Sequence, residues 1–104
     1  HGHVHDFQAI NFTSNHPATI VAGNAGDSLD VALPDPFPAI SPASGVTVGS
    51  ISHNNSFGFM VMDRQPAPAK GWLFKAYTVN GKLLTTCTQN GSSLVCDKTG
   101  FVAP

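Results

Sequence analysis

Apolar and polar residues alternate along several short segments of this 104-residue chain, which is the pattern of strands half buried in a β-sheet. In the first third, the segments 3–13, 19–22 and 29–33 carry this alternation. The glycine-containing segment 23–26 separates the second from the third and is typical of a turn. We therefore predict three short strands in this part of the chain.

The middle third contains two apolar runs and two stretches rich in proline. The runs 46–53 and 57–62 are separated by Asn54-Asn55-Ser56, which predicts a hairpin. Both faces of 57–62 are apolar, so we expect a central strand that is covered on both sides. No helix or sheet ladder tolerates the prolines of 34–42 and 65–71, so we expect two ordered surface loops there.

A tight-turn signal sets the pairing of the next two predicted strands. Asn80-Gly81 is typical of a type I′ hairpin turn, because both of its central positions need positive φ. Counting outward from this turn pairs Tyr77 with Leu84 and Phe74 with Cys87.

A second turn signal, Gly91-Ser92, suits a type II′ turn and places Cys87 directly opposite Cys96. At such a non-hydrogen-bonded pair the Cα atoms lie about 4.5 Å apart, which a disulfide accepts. We therefore predict a disulfide between them. The two pairings together predict one core-facing set of side chains: Trp72, Phe74, Ala76, Leu83, Cys87, Leu94 and Cys96.

These elements predict a single all-β domain over residues 1–104. Its fold class is an antiparallel β-sandwich or small barrel of roughly seven or eight short strands with one hairpin disulfide. Composition agrees, because charged residues are 11% of the chain and Glu is absent. Exposed helix surfaces are normally filled with Glu, Lys and Arg, so their scarcity argues against helices.

Charge and hydropathy exclude two classes of partner. The formal net charge is −1 and Arg64 is the single arginine, so the chain lacks the basic stripe that neutralises nucleic-acid phosphates. Its apolar runs are far shorter than the ~20 residues that a membrane-spanning helix needs. We expect neither nucleic-acid binding nor a membrane span.

Cysteine usage and processing signals predict a secreted, extracellular protein. A paired Cys87 and Cys96 suit an oxidising compartment. Three Asn-x-Ser/Thr sequons, at Asn11, Asn54 and Asn90, predict a glycoprotein of eukaryotic origin. The chain starts at His1 without Met, and we interpret it as a mature chain after signal cleavage.

Candidate chemistry lies at the amino terminus, where His1-Gly2-His3-Val4-His5-Asp6 holds three of the five histidines. A free amine, two amides and the His3 imidazole form a square-planar nitrogen set that suits Cu(II). Alternatively, His1 chelates copper through its amine and ring, and a distant histidine, His53 or His16, supplies a third nitrogen. The sequence leaves both arrangements open.

His1-Gly2-His3-Val4 resembles the mature amino terminus of the fungal lytic polysaccharide monooxygenases and of smaller copper-binding proteins like them. The resemblance covers about five residues. It implies copper at His1, a β-sandwich scaffold and a carbohydrate-rich extracellular setting. It further implies His53 as a second copper ligand and Tyr77, the single tyrosine, as a candidate axial phenol.

The first functional hypothesis is therefore a small secreted copper(II)-binding protein for extracellular copper handling. Its metal-ligating residues would be His1 with His3 or His53. An oxidative copper enzyme is the minor version, and we expect no hydrolase because no Gly-x-Ser-x-Gly elbow is present.

The alternative hypothesis is a metal-free secreted interaction protein of the fungal effector or elicitor type. Its proline-rich loops 34–42 and 65–71 would contact a host or cell-wall surface component. A carbohydrate-binding module normally aligns exposed aromatic side chains, and Trp72 falls on the predicted core face.

Overall fold

The computed structural model describes residues 2–31, 33–34, 38 and 40–98, together with the backbone of residues 100–101. These residues form eight β-strands, and no helix is present among them. The strands are, in chain order, β1 (Phe7–Phe12), β2 (Thr19–Ala22), β3 (Val48–Asn54), β4 (Gly58–Arg64), β5 (Trp72–Thr78), β6 (Leu83–Asn90), β7 (Ser93–Cys96) and β8 (Gly100–Phe101).

The eight strands form two four-stranded sheets. The first sheet has the order β2-β1-β3-β8 and the second has the order β4-β5-β6-β7. Neighbouring strands are antiparallel, except that β8 pairs with β3 in parallel. The predicted all-β fold class with one hairpin disulfide is confirmed.

The core lies between the two sheets, because alternate residues of β1 face the inner side of the second sheet. Its fully buried members are Phe7, Ala9, Ala76, Leu84, Cys87 and Leu94. Phe74 and Cys96 pack against this cluster, as predicted. Burying each large apolar side chain contributes about 1.5–3 kcal/mol, so these few residues are the main source of the fold's stability.

The turn between β5 and β6 differs from the predicted type I′ turn. Gly81 N donates to Thr78 O at 2.9 Å, so the central residues of the turn are Val79 and Asn80. Gly81 has a φ of 83°, whereas no described residue other than glycine has a positive φ. This geometry is a type I turn followed by a left-handed glycine.

The longer turn changes the register next to it. Ala76 pairs with Thr85 and Tyr77 with Leu83, so a β-bulge leaves Leu84 as the extra residue. The predicted pairing of Tyr77 with Leu84 is therefore wrong, and so is the predicted core position of Leu83. Leu84 is 3% exposed and Leu83 is 44% exposed.

Beyond the bulge the predicted pairings are confirmed. Phe74 lies opposite Cys87, and Cys87 lies opposite Cys96. The two cysteines form the disulfide, with their Cα atoms 3.9 Å apart. The turn between β6 and β7 has a positive φ at Gly91 alone, which agrees with the predicted type II′ geometry.

The predicted hairpin between the two central apolar runs is wrong. β3 belongs to the first sheet and β4 to the second, so the chain crosses between the sheets at 55–57. Asn54 Oδ1 accepts a bond from Ser56 N at 2.8 Å, which turns the chain there. In addition, Asn24 Nδ2 donates to Ser56 O and Gly58 N donates to Asn24 O, holding β4 away from β3.

The expectation of a doubly covered central strand at 57–62 is also wrong, since β4 is the edge strand of the second sheet. Another predicted strand, 29–33, is absent from its described residues 29–31 and 33. Asp30 instead bonds to the residues just before β1. No helix in the described part of the chain is long and apolar enough to cross a membrane.

Candidate functional site

The segment that precedes β1 is fixed against the end of β2. Gly23 N donates to Asp6 O at 3.0 Å. A Cβ atom on Gly23 would lie 1.9 Å from Val4 O, so only glycine allows the two backbones to approach this closely. Residues 2–6 therefore have a defined path, although regular β1 begins only at Phe7.

Asp6 carries a carboxyl group that is almost entirely buried, with 1% of the residue exposed. Its Oδ2 accepts a bond from Gln8 Nε2 at 3.2 Å, whereas Oδ1 has no hydrogen-bond partner. Burial raises the pKa of Asp6, and the nearby charge of Asp30 acts in the same direction. The bond from Gln8 and the charge of His53 oppose this rise in pKa.

His53 lies on β3 directly opposite Gln8 of β1, so the two side chains share one face of the first sheet. That face points away from the second sheet, because Phe7 and Ala9 take the inner positions. The residue is 1% exposed. The imidazole of His53 and the carboxyl of Asp6 are thus buried together beside β1.

Asp30 connects the same region to the long segment between β2 and β3. His5 N donates to Asp30 Oδ2 at 2.6 Å, and Asp30 N donates to His5 O at 3.0 Å. The His5 ring lies 3.4 Å from Ser28 Oγ, measured from Nδ1. We call His5, Asp6, Asp30 and His53 the amino-terminal cluster.

Sequence reasoning named His53 from this cluster as a ligand but missed its acidic members. A usable signal was present, since Asp6 and Gln8 are two positions apart and an extended backbone places such residues on one face. Asp30 could not have been found in this way, because 25 positions separate it from its partner His5.

The predicted copper ligands differ in their exposure to solvent. His3 is exposed and His53 is buried, whereas His1 lies outside the described residues. Tyr77 lies on the outer face of the second sheet, stacked on Phe59, and is not brought near His53. Within the described residues, no three His, Cys, Asp or Glu side chains are grouped so that they could hold one metal ion.

The three sequon asparagines also lie in different environments. Asn90 is exposed beside the β6–β7 turn, whereas Asn54 is 1% exposed. Asn11 uses its whole carboxamide, because Nδ2 donates to Leu94 O and Oδ1 accepts from Leu94 N, both at 2.7 Å. Asn90 is the sequon whose side chain lies open to modification in the folded protein.

An apolar cleft of about 230 Å³ opens between the sheets at the end that carries the β6–β7 turn. Ile20, Trp72, Phe74 and Leu94 line it. Gln89 also borders the cleft, but its Oε1 accepts from Trp72 N and its Nε2 donates to Gly91 O. The polar groups of that side chain are therefore committed to the fold, and the cleft offers mainly apolar contact.

Exposed aromatic side chains lie on the second sheet, contrary to the expectation from Trp72. Phe59 is 45% exposed, and its ring stacks on Tyr77 with centroids 5.2 Å apart and planes 15° apart. Each ring therefore covers one face of the other. The stack does not present a broad flat platform of the kind that a carbohydrate-binding module aligns.

The two proline-rich loops are described to different extents. Positions 35–37 and 39 of the loop 34–42 lie outside the described residues. The loop 65–71 is described throughout, is mostly exposed and contains a cis Ala67-Pro68 bond. Gln65 N donates to Gly71 O at its base, so this loop is closed as predicted.

Comparisons with known proteins found no family model, curated protein or solved structure that matches the chain.

Proposed function

We propose that this protein binds copper(II) at its amino-terminal segment and handles the metal outside the cell. The observation that carries the proposal is the defined path of residues 2–6, which leaves His3 exposed in the segment that His5 and Asp6 bring next to Asp30 and His53. Imidazole nitrogen is a preferred ligand of Cu(II), and nearby carboxylates favour a bound cation.

The ligands that we propose are the amine nitrogen of His1, the backbone amide nitrogens that follow it and the imidazole of His3. His3 is exposed and can reach an ion in solvent, whereas His53 is 1% exposed. The close approach of Val4 to Gly23 fixes the segment beside these ligands. An extracellular role is supported by the Cys87–Cys96 disulfide, since disulfides persist in oxidising compartments.

A Cu(II) titration followed by electron paramagnetic resonance tests this proposal on protein whose amino-terminal sequence is verified by mass spectrometry. We expect one tight equivalent with a nitrogen-rich signal. His3→Ala should abolish that signal, whereas the matched variant His16→Ala should preserve it. His16 is also exposed, but its ring bonds to Pro17 O and packs near Phe12.

His53→Ala distinguishes the two ligand arrangements. An unchanged signal supports chelation within the terminal segment, whereas a changed signal in a folded variant means that His53 completes the site. Circular dichroism establishes folding, because His53 is buried. Weak binding by the wild type, or a signal that His3→Ala leaves intact, would overturn the proposal.

A second candidate function is binding of another macromolecule without a metal. The proline-rich loops remain candidates for this role, but a different surface favours it more. The edge strand β4 exposes Phe59, Val61 and Met62, and Phe57, which precedes it, is exposed as well. Exposed apolar patches of this kind mark interaction sites.

A further inference from the structure

β4 differs in length from the other three strands that end a sheet. It has 7 residues, whereas β2 and β7 have 4 each and β8 has 2. Short edge strands limit pairing with other chains, and so do bulges, prolines and charged side chains. β4 contains no proline and pairs with β5 without a bulge, and its charged residues Asp63 and Arg64 stand only at its end.

The side chains of β4 are apolar and exposed on both faces of the sheet. Phe59 and Val61 project from the outer face and are 45% and 36% exposed. Met62 projects from the inner face, opposite Phe74, and is 55% exposed. When another strand pairs with an edge strand that is apolar on both faces, apolar side chains on both faces become buried and the open backbone groups gain partners.

Two backbone bonds determine which residues of β4 point their N–H and C=O groups toward the open edge. Gly58 N donates away from β5, to Asn24 O, whereas Gln65 N donates toward β5, to Gly71 O. Bonding direction alternates along an antiparallel strand. The backbone groups of Met60, Met62 and Arg64 therefore point outward from the sheet, where β4 has no neighbouring strand among the described residues.

We propose that β4 pairs with β4 of a second copy of this chain in antiparallel orientation, about a two-fold axis at Val61. In this register Met60 exchanges both backbone bonds with the partner's Met62, and Met62 with the partner's Met60. The two second sheets then form one sheet of twice the width.

Self-complementarity identifies a second copy as the occupant. The outward-pointing residues Met60 and Met62 meet each other, and Val61 meets Val61, so apolar side chains adjoin apolar side chains. Asp63 and Arg64 of one copy lie at one end of the paired segment, and those of the second copy lie at the other end. Like charges of the two copies are therefore kept apart. Asn24 already occupies the outward position at Gly58, so the paired segment begins after that residue.

The Phe59 ring provides a further apolar contact. One of its faces is covered by Tyr77 of β5, and the other is turned toward the open edge. Two strand edges bury less than the standard interface of about 1,600 Å², so we expect a reversible dimer whose population rises with concentration. This inference is independent of copper binding.

Sedimentation velocity over a concentration series tests the proposal. We expect the wild type to shift from 10.8 kDa toward twice that mass as concentration rises. Met62→Lys introduces a charge at the edge and should keep the protein monomeric. The matched variant Val95→Lys makes the same change at an equally exposed site on β7 and should still dimerise, since Val95 is 59% exposed.

A cross-linking variant tests the register. Val61 would form a non-hydrogen-bonded pair with its symmetry mate, where Cα atoms lie about 4.5 Å apart. Val61→Cys should therefore form an intermolecular disulfide under mild oxidation, whereas Val79→Cys, at a position 66% exposed in the β5–β6 turn, should not. A wild type that stays monomeric at every concentration, or equal cross-linking of both variants, would overturn the proposal.

Discussion

The two edges of the second sheet, β4 and β7, solve the problem of unpaired backbone in opposite ways. At β7, the carboxamide of Asn11 bonds both Leu94 N and Leu94 O, as a neighbouring strand would. A disulfide fastens the same strand to β6. At β4, Asn24 occupies the position at Gly58, and no other described residue pairs with the backbone along the rest of that edge.

The difference shows that an edge is closed by side chains from the opposite sheet as effectively as by another strand. Asn11 belongs to β1 of the first sheet, so its bonds to Leu94 also join the two sheets. These two hydrogen bonds and the Cys87–Cys96 disulfide link β1, β7 and β6 on this side of the sandwich. β4 has no equivalent contact beyond Asn24 among the described residues.

The largest expected loss of stability comes from removing the disulfide. Without it, β7 would be joined to its neighbouring strand by hydrogen bonds and packing only, as β4 is. Replacing both Cys87 and Cys96 with Ala should lower the free energy of unfolding by roughly 2–3 kcal/mol, because the unfolded chain loses a short closed loop. Urea unfolding monitored by circular dichroism measures the change. An unchanged midpoint would show that the disulfide does not stabilise this edge.

A smaller loss is expected when Asn11 is replaced, which opens the edge of β7 directly. Asn11→Ala leaves Leu94 N and O without their partners and should cost about 1–3 kcal/mol. Val61→Thr on the open β4 edge, measured at a concentration at which the protein is monomeric, is the matched control and should change the free energy of unfolding by no more than about 0.5 kcal/mol. Equal losses in the two variants would remove the distinction between the edges.

The smallest expected effect is the pH dependence of the stability that Asp97, directly after β7, contributes. Thr85 Oγ1 donates to Asp97 Oδ1, as does Thr86 N at 3.0 Å, and these bonds lower the pKa of Asp97 below 3.8. The pKa of Asp97 is lower in the folded protein than in the unfolded chain. This carboxylate therefore stabilises the fold above pH 3.8, and its contribution is lost as the pH falls through the pKa of the folded state.

Urea unfolding of the wild type and Asp97→Asn across that acid range measures the effect. The difference in stability between them should shrink as pH falls. The pH dependence that Asp6 contributes has the opposite sign, since burial raises its pKa and its contribution to stability is lost as the pH rises. A difference that grows toward acid would contradict the role of Asp97.

The pairing of β5, β6 and β7 was predictable because each connection is short and its turn residues are explicit. Cys87 opposite Cys96 followed from Gly91-Ser92 alone. The bulge at Leu84 was missed because Asn80-Gly81 permits either a two-residue turn or a longer one, and the choice moves Leu83 out of the core.

The crossing from β3 to β4 was not predictable from local pattern. Two apolar runs around Asn54-Asn55-Ser56 fit a hairpin as well as a crossing between sheets. The residue that fixes the start of β4 is Asn24, which lies 32 positions before Ser56. For the same reason, the contact of His5 with Asp30 could not be found from spacing.

The carboxamide of Asn11 has a consequence for assembly. Once β4 has paired with a second copy about a two-fold axis, growth of the sheet could continue only at β7. There the outward N–H and C=O groups of Leu94 are already occupied. Asn11 therefore opposes extension of the pair into a fibre, because it occupies the outward backbone groups in the middle of β7.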